Sequence, residues 1–365
     1  MTSPLFSPFN LGALRLPNRI VMAPMTRSFA TGGMPNERIA DYYARRAAND
    51  VGLILTEGTH PERPGAGNDP NTPFFYGDAL EGWKRIVAAV KAEGGLIAPQ
   101  LWHTGYMRKP GTGHFPDAPS DSPSGVTHTG NQVAEAPSES EVADMVDSFA
   151  RSAGYAKELG FDAVEIHGAH GYLIDQFFWD VMNRREDRFG GGLPERATFA
   201  AEIIRECRRS VGPDFPIIIR LSQWKQQDFT QRLAHTPQEL EAFLTVLTDA
   251  GVDCLHCSQR RFWEPEFPDI DAELNFAGWA KKLTEKPTIT VGSVGLSGEF
   301  VASLSGEQSQ PASLDRLETM LARGDFDLVA VGRALLQDPE WVTKIRDGRE
   351  AELQTYTREA LATLY

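Results

Sequence analysis

Eight short apolar runs, rich in β-branched residues, recur along the chain with helix-like segments between them. Runs that are apolar throughout are typical of strands buried on both faces, as in a parallel sheet covered by helices. The runs start at Arg19 (RIVMAP), Gly52 (GLILTEG), Leu96 (LIAPQLWH), Ala163 (AVEIHG), Ile217 (IIIRLS), Asp253 (DCLHCS), Thr288 (TITVGS) and Leu328 (LVAVGR). Eight strands alternating with helices predict an α/β fold, the (β/α)8 TIM barrel.

The segments between the runs carry ordinary helix-start signals. Ser138 and Glu141 form a capping-box pattern, and Thr236, Pro237 and Glu239 repeat it with proline at the first helical position. The competing fold is an open, doubly wound sheet, which usually places a glycine-rich phosphate turn after its first strand. The first run continues into MTRS without a glycine, so the pattern favours the barrel.

We expect a single domain, residues 1–365, because barrels with insertions reach this length. The segment LRLPNRI before the first strand is expected to plug the bottom of the barrel. Residues 104–138, rich in Gly, Pro, Ser, Thr and Asp, follow the third strand as a capping insertion. An insertion of this length at the carboxyl end of a barrel strand predicts a lid over the substrate.

The charge balance restricts the partners of the chain. A formal net charge of -14 disfavours nucleic acid and anionic membranes, which attract basic surfaces, and favours a small-molecule substrate. The N-terminal residues lack the pattern of a secretory signal, and no apolar run is long enough to span a bilayer. Three cysteines cannot all pair internally, which suits a reducing compartment, so we expect a cytoplasmic protein.

Polar side chains stand at the carboxyl ends of the first five strands, where barrel enzymes build their active sites. They are Thr26, Glu57, Gly58 (through its backbone), Gln100, Trp102, His103, His167 and Arg220. Arg220 interrupts an apolar run, and burying its guanidinium without a partner would be costly. Its partner is either an electron-rich ligand or a structural carboxylate, Glu57 or Glu165.

The last two strands end in VGSVG, residues 291–295, and VGR, residues 331–333. Glycines allow backbone N–H groups to approach an anion closely, and the guanidinium of Arg333 can pair with phosphate oxygens at two points. Barrels often bind phosphate between these two loops. The pattern therefore predicts a phosphorylated ligand.

The fourth strand ends in HGAHGYL, which places His167, His170 and Tyr172 close together. This set could hold an oxygen atom and donate a proton, or it could contribute to a metal site with His103 and a carboxylate. A metal-dependent hydrolase usually draws several Asp or His ligands from different strand ends, and a Schiff-base aldolase needs a lysine there; neither pattern is present. A flavin-binding protein without catalytic activity is a third alternative, which Tyr172 beside the histidines disfavours. The lone CLHC pattern, residues 254–257, lacks a second ligand pair, so no metal is expected.

Taken in order, the motifs resemble those of the old yellow enzyme family of FMN-dependent ene reductases. The matching stretches are LFSPFNLGALRLPNRIVMAPMTR, QLWHTG, HGAHGYLIDQF, NRREDRFGG, IIIRLS and the terminal VGR. They span nearly the whole chain, and their order and spacing are specific to that family.

The resemblance implies that the chain binds FMN. Thr26 would hydrogen-bond the flavin O4 side, Gln100 the pyrimidine edge, and Arg220 the region of N1 and O2. The full set of implied cofactor-binding residues is Ala23, Pro24, Met25, Thr26, Gly58, Gln100, Arg220, Gly292, Ser293, Gly332 and Arg333. NAD(P)H would be the reductant.

For the substrate, the resemblance implies that His167 and His170 hold a carbonyl or nitro oxygen and that Tyr172 protonates the α carbon. The β carbon of an activated alkene, in an α,β-unsaturated carbonyl, a maleimide or a nitroalkene, would take hydride from flavin N5. Trp102 would line the pocket, unless it belongs to the core. These motifs do not distinguish NADH from NADPH, or a monomer from a homodimer.

Two further expectations concern the pocket walls. Phe262 and Trp263, after the sixth strand, could wall the substrate pocket. The tail TYTREALATLY lacks the tyrosine-proline ending that contributes to the pocket in some relatives, so no substrate role is assigned to Tyr356 or Tyr365. The loop after Ser293 departs from the commonest pattern through a polar insertion, which leaves the role of the Ser293 side chain open.

Overall fold

The structure, a computed structural model, describes residues 3–109, 111–299 and 306–365. Eight parallel strands form a closed barrel in which each strand pairs with the next along the chain and the last pairs with the first. These strands are Ile20–Met22 (β3), Leu53–Thr59 (β4), Ile97–Leu101 (β5), Val164–His170 (β6), Ile217–Lys225 (β7), Cys254–Ser258 (β8), Thr288–Val291 (β9) and Leu328–Val331 (β10). Each of the eight apolar runs forms one strand, so the predicted (β/α)8 fold is confirmed.

Helices cover the outside of the barrel. Those in the described residues are Glu37–Ala47 (α1), Ala79–Ala92 (α2), Glu139–Glu158 (α3), Leu173–Phe178 (α4), Leu193–Arg196 (α5), Thr198–Val211 (α6), Pro237–Asp249 (α7), Phe276–Thr284 (α8), Asp315–Arg323 (α9), Arg333–Gln337 (α10) and Trp341–Arg346 (α11). The capping box at α3 is present: Glu141 N–H donates to the Ser138 hydroxyl, and Ser138 N–H donates to the Glu141 carboxylate. None of the helices in these ranges is both long and apolar enough to cross a membrane.

The strands separate two apolar cores. Side chains that point inward form a small cluster inside the barrel, while those that point outward pack under the helices in a much larger one. Cys254 lies in the inner cluster and Cys257 in the outer one, as expected for strand residues three positions apart. A hairpin of Phe9–Leu11 (β1) and Leu14–Leu16 (β2) contributes its buried leucines, Leu11 and Leu16, to the inner cluster. That this part of the chain plugs the bottom of the barrel stays a prediction.

The insertion, residues 104–138, is tied to the barrel by buried polar contacts. Its Asp121 carboxylate accepts hydrogen bonds from the guanidinium of Arg63 at 2.6 Å and from His103 Nε2 at 2.9 Å. Burial alone would raise the pKa of Asp121, but the hydrogen bonds from Arg63 and, to a smaller extent, from His103 hold it well below its ordinary value. From the far side, the guanidinium of Arg185 donates to the carbonyl oxygens of Pro123 and Pro137. The insertion is therefore an anchored part of the fold.

Candidate active site

The carboxyl ends of the barrel strands surround a cavity of about 610 Å³. All but one of the cofactor-binding, substrate-binding and catalytic residues implied by the family resemblance line it. They are Ala23, Pro24, Met25, Thr26, Gln100, Trp102, His167, His170, Tyr172, Arg220, Gly292, Ser293, Gly332 and Arg333. The exception, Gly58, lies behind Trp102: a Cβ at this glycine would come within 2.6 Å of the indole ring. Gly58 therefore makes room for Trp102 and is not part of the cavity wall.

Arg220 brings an unmatched buried donor to the cavity. Its side chain is almost fully buried on β7, Nε has no hydrogen-bond partner, and the guanidinium enters no ion pair with the described residues. One contact is a long hydrogen bond of 3.4 Å from Nη2 to the Ser258 hydroxyl. Leaving a buried cationic donor unmatched is costly, so this geometry fits a ligand that brings an acceptor or negative charge to Arg220.

Both carboxylates that could have paired with Arg220 have other partners. Inside the barrel, Glu165 accepts hydrogen bonds from the Gln100 amide at 2.8 Å and from His256 Nδ1 at 2.6 Å. Glu57 accepts from the backbone N–H groups of residues 27 and 28, and burial raises its pKa to about 7. The structural salt bridge considered as an alternative is therefore absent, and Glu165 instead orients the Gln100 side chain.

The loop after β9, where the sequence predicts a phosphate site, has two consecutive residues with positive φ. Gly292 has a φ of 143°, and a Cβ there would come within 2.6 Å of the Gln259 carbonyl oxygen, so only glycine fits. Ser293 has a φ of 54°, and its hydroxyl donates to the carbonyl oxygen of Arg260 at 3.1 Å. The Ser293 side chain is thus engaged by the protein, which leaves its backbone N–H for an anion.

Two arginines face this part of the cavity. Arg333 opens α10, and its guanidinium donates to carbonyl oxygens of the loop after β9, with distances of 2.8 Å to Gly298 and 3.1 Å to Glu299. Arg260, which the sequence pattern did not single out, lines the same wall and pairs with the Glu299 carboxylate at 2.7 Å. Both cations are held in place by the polar insertion that follows Ser293.

His167, near the end of β6, is neutral and has a defined tautomer. Burial, followed by the positive charge of Arg220, lowers its pKa well below the ordinary value. Nδ1 accepts a hydrogen bond from the backbone N–H of Ala169 at 3.3 Å. A neutral imidazole carries one proton, so this proton lies on Nε2, the nitrogen left for a ligand.

His170 is fixed from several directions. Its φ is 64°, its backbone N–H donates to the Ser222 hydroxyl at 2.9 Å, and its ring stacks on Trp224 with centroids 4.5 Å apart. Ring Nε2 lies 2.8 Å from the Ser258 hydroxyl. Burial and Arg220 lower its pKa well below the ordinary value as well, so both histidines are neutral near pH 7.

Tyr172 completes the cluster just before α4. Its ring meets those of His167 and Trp102 edge to face, with centroid distances of 5.1 Å and 5.0 Å. Burial raises the pKa of its hydroxyl, an effect that the Gln226 amide opposes in part. Tyr172 therefore keeps its proton at neutral pH. Trp102 is partly exposed to the cavity, which places it in the pocket wall and not in the core.

The model of the NADH:flavin oxidoreductase / NADH oxidase family matches residues 4–352. The match covers the barrel and the loops around the cavity. The chain belongs to this family. Its relatives place it among the old yellow enzymes, whose members bind FMN and use NAD(P)H. The chain is therefore a member of the family of FMN-dependent NADH:flavin oxidoreductases, as the motifs indicate.

Individual relatives support this assignment. The chain is 34% identical over 360 residues to an NADH oxidase of Thermoanaerobacter brockii, a match that covers 96% of this chain and 52% of that protein. It thus spans about half the length of that oxidase. It is 32% identical to 12-oxophytodienoate reductase 7 of Oryza sativa subsp. japonica, with 99% and 92% of the two chains covered. The solved structure of morphinone reductase superposes with a TM-score of 0.80 at 27% identity, over 99% of this chain and 93% of that one.

Several residues that line this oxidoreductase's cavity were not predicted. Trp224, Gln226 and Phe229 come from the end of β7 and the segment after it. The aromatic residues in SQWKQQDF were the available signal. From the tail, Tyr356 and Leu361 also reach the cavity, and the Tyr356 ring lies 5.6 Å from the Arg333 guanidinium.

The expectation for Phe262 and Trp263 differs from the structure, whereas Tyr365, which was given no substrate role, lies away from the cavity. Phe262 and Trp263 do not line the cavity; they meet edge to face at 5.1 Å and pack against the outer core. Tyr365 is 61% exposed, with the Arg45 guanidinium over its ring. The insertion, residues 104–138, contributes none of its described residues to the cavity lining, because its buried contacts hold it beside the rim. That the insertion covers the substrate stays a prediction.

Proposed function

We propose that the protein is an ene reductase, which uses NAD(P)H to reduce the activated C=C bond of α,β-unsaturated carbonyls, maleimides or nitroalkenes. One observation carries this proposal: two neutral histidines and a protonated tyrosine share a wall of the cavity in which Arg220 has no counterion among the described residues. Relatives named 12-oxophytodienoate reductase and morphinone reductase lend further support.

The residues around the cavity fit FMN. Thr26, Gln100 and Arg220 would hold the polar edge of the flavin ring, where the cation of Arg220 would stabilise negative charge. The phosphate would be held by Gly292, Ser293, Gly332 and Arg333, and the ring would lie against the backbone of Ala23, Pro24 and Met25; contact with Gly58 stays a prediction. FMN, when bound, supplies hydride chemistry, taking hydride from NAD(P)H and passing it to the alkene.

The histidine pair would hold the oxygen of the substrate. His167 Nε2–H donates to the carbonyl or nitro oxygen, and the second donor comes from His170. Hydrogen bonds that point at an oxygen on which negative charge develops stabilise the transition state more than the ground state. Because both rings are neutral, they stabilise this charge without adding a full positive charge that would compete with Arg220.

Tyr172 would supply the proton. Its hydroxyl is protonated at neutral pH because burial raises its pKa, and its ring is fixed against His167 and Trp102. A substrate whose oxygen is held by the histidines would present its α carbon near this hydroxyl. Tyr172 would thus act as the general acid.

The experiment is a comparison of substrates with the FMN-loaded protein. Consumption of 2-cyclohexenone, N-methylmaleimide and a nitrostyrene is followed with NADH and with NADPH, and the products are identified by mass. We expect saturated products, each two hydrogens heavier than its alkene. Oxidation of NAD(P)H with oxygen as the only acceptor, and all three alkenes recovered unchanged, would contradict the proposal in favour of an oxidase.

A further inference from the structure

Ser258 lies between His170 and Arg220 in the lining of the cavity. It is the last residue of β8, is nearly fully buried, and belongs to none of the motifs that identify the family. Its hydroxyl oxygen lies 2.8 Å from His170 Nε2 and 3.4 Å from Nη2 of Arg220. Ser258 therefore contacts one residue proposed to hold substrate and one proposed to hold the cofactor.

The direction of these hydrogen bonds follows from the chemistry of the donors. A guanidinium can only donate, so the Ser258 oxygen accepts from Arg220. Among the described contacts of the Ser258 hydroxyl, His170 Nε2 is the one group that can accept its proton, so we take the serine to donate to this nitrogen. A neutral imidazole that accepts at one nitrogen carries its proton on the other, which here is Nδ1. Nδ1 of His170 makes no hydrogen bond to any of the residues described.

We propose that Ser258 is a positioning residue that keeps the proton of His170 on Nδ1, so that His170 can donate to the substrate oxygen. The inference rests on the proposed function, and it adds the residue that determines which ring nitrogen of His170 carries the proton. For His167 a backbone group fixes the tautomer in the same way, because Ala169 N–H donates to its Nδ1 and leaves the proton on Nε2. Two neutral rings thus present one N–H each.

The opposite arrangement would have a different consequence. If Nε2–H of His170 donated to Ser258, Nδ1 would present a lone pair to the substrate oxygen, and the two acceptors would repel each other. A pocket built to bind an oxygen would then lose one of its two donors and gain an unfavourable contact. The tautomer of His170 therefore decides whether the pair binds an oxygen ligand or rejects it.

The tautomer can be read directly by ¹⁵N NMR of the FMN-loaded protein with labelled histidine, since protonated and unprotonated ring nitrogens have well-separated shifts. Ring signals of the two histidines are assigned from His167→Asn and His170→Asn. We expect Nδ1–H for His170 in the wild type and loss of that preference in Ser258→Ala. Ser258→Thr, which keeps the hydroxyl, should restore it. Ser222→Ala is the matched control, because it removes the bond to the His170 backbone and leaves the ring contact intact.

Binding of a phenol gives a second readout. Titration with 4-hydroxybenzaldehyde, followed by the flavin absorbance, should show affinity about tenfold weaker in Ser258→Ala, the loss expected for one hydrogen bond. Ser258→Thr should bind nearly as well as the wild type. Ser258→Cys, whose thiol donates only weakly, should show a similar loss and replaces the alanine variant if that variant does not fold.

The outcomes separate this inference from the proposed function. Neither readout requires an alkene, so a wild type that fails to reduce alkenes, with a tautomer and affinity that still depend on Ser258, would overturn the function alone. An active wild type, with the same His170 tautomer and the same phenol affinity in Ser258→Ala, would overturn the role of Ser258 alone.

Discussion

Burial controls the ionisation of the three side chains that would handle substrate. His167, His170 and Tyr172 lie in one cluster; burial lowers the pKa of both histidines and raises that of the tyrosine. All three groups are therefore neutral at pH 7, and Arg220 is the charge that acts most strongly on both histidines. This division suits a reaction that moves a hydride and a proton in separate steps.

Replacing Tyr172 by phenylalanine tests the proton donor. The change removes the hydroxyl and preserves the ring contacts with His167 and Trp102. We expect reduction of 2-cyclohexenone to slow about 10²- to 10⁴-fold, the usual contribution of a general acid, while reduction of FMN by NAD(P)H changes little. Stopped-flow measurement of each half-reaction separates the two effects. Equal losses in both half-reactions would show that Tyr172 has a structural role only.

The buried histidines also predict how stability depends on pH. A histidine whose pKa is lowered on folding binds fewer protons in the folded than in the unfolded protein, so its contribution favours unfolding as pH falls below about 6.5, its ordinary pKa. Replacing His170 by asparagine should remove this penalty. As the pH is lowered from 8 to 5.5, the unfolding free energy of the variant should rise relative to that of the wild type, by at most about 1.4 kcal/mol per pH unit.

Urea unfolding of both proteins at the two pH values measures this gain. The difference between variant and wild type isolates His170, because groups such as Glu57, whose pKa is raised to about 7, titrate in both. A difference in unfolding free energy that is the same at pH 8 and pH 5.5 would mean that His170 is not held neutral by the fold.

Among the larger elements, the insertion at residues 104–138 is anchored to the barrel by buried polar contacts. Replacing Asp121 by alanine would leave Arg63 and His103 without their shared acceptor. We expect the unfolding free energy to fall by about 2–4 kcal/mol and the insertion to become sensitive to limited proteolysis. FMN affinity should change little, because no described residue of the insertion lines the cavity.

The matched control for this variant is Asp117→Ala, in the same insertion but at an exposed position. It should leave both stability and protease resistance near wild-type values. Loss of FMN binding in Asp121→Ala, with the barrel still folded, would show that the insertion shapes the cofactor site after all.

The sequence predicts the barrel strands better than it predicts the segments that follow them. Continuous apolar runs identified all eight barrel strands, and capping residues identified the start of α3 and of α7. The end of β7 was missed, because the strand continues through Lys225 although Ser222, Gln223 and Lys225 are polar. Lys225 is buried there by its ion pair with Asp175, a partner 50 positions away. Local hydropathy cannot signal such a contact.

The same limit applies to the site. Residues at strand ends could be assigned because a barrel brings these ends together whatever the loops do. Tyr356 could not, because its place in the wall depends on backbone hydrogen bonds to Ser309, within the insertion after β9. Phe262 and Trp263 were misassigned for the opposite reason, since aromatic residues after a strand end can turn into the core as readily as toward a ligand.

For the whole molecule, the cofactor should be a major source of stability. Arg220 has an unmatched buried donor that bound FMN would satisfy, and Arg333 adds a cation at the wall expected to bind phosphate. We expect FMN to raise the melting temperature of the apoprotein. Riboflavin, which lacks the phosphate, should raise this temperature less at the same concentration.

Isothermal titration with both flavins quantifies this prediction. Loss of charge-assisted hydrogen bonds to phosphate should weaken riboflavin binding at least about tenfold relative to FMN. Arg333→Gln should reduce the difference in affinity between FMN and riboflavin. Equal affinities of the wild type for FMN and riboflavin would show that the loops after β9 and β10 do not bind the phosphate.

The account depends most on the claim that the barrel transfers reducing equivalents from a nicotinamide to an activated alkene. The most direct measurement is anaerobic: the FMN-loaded protein is bleached with one equivalent of NADPH or NADH and then mixed with 2-cyclohexenone while the flavin absorbance near ~450 nm is followed. We predict that the absorbance returns and that one equivalent of cyclohexanone forms. A spectrum that stays bleached until oxygen is admitted, with the enone intact, would contradict the account.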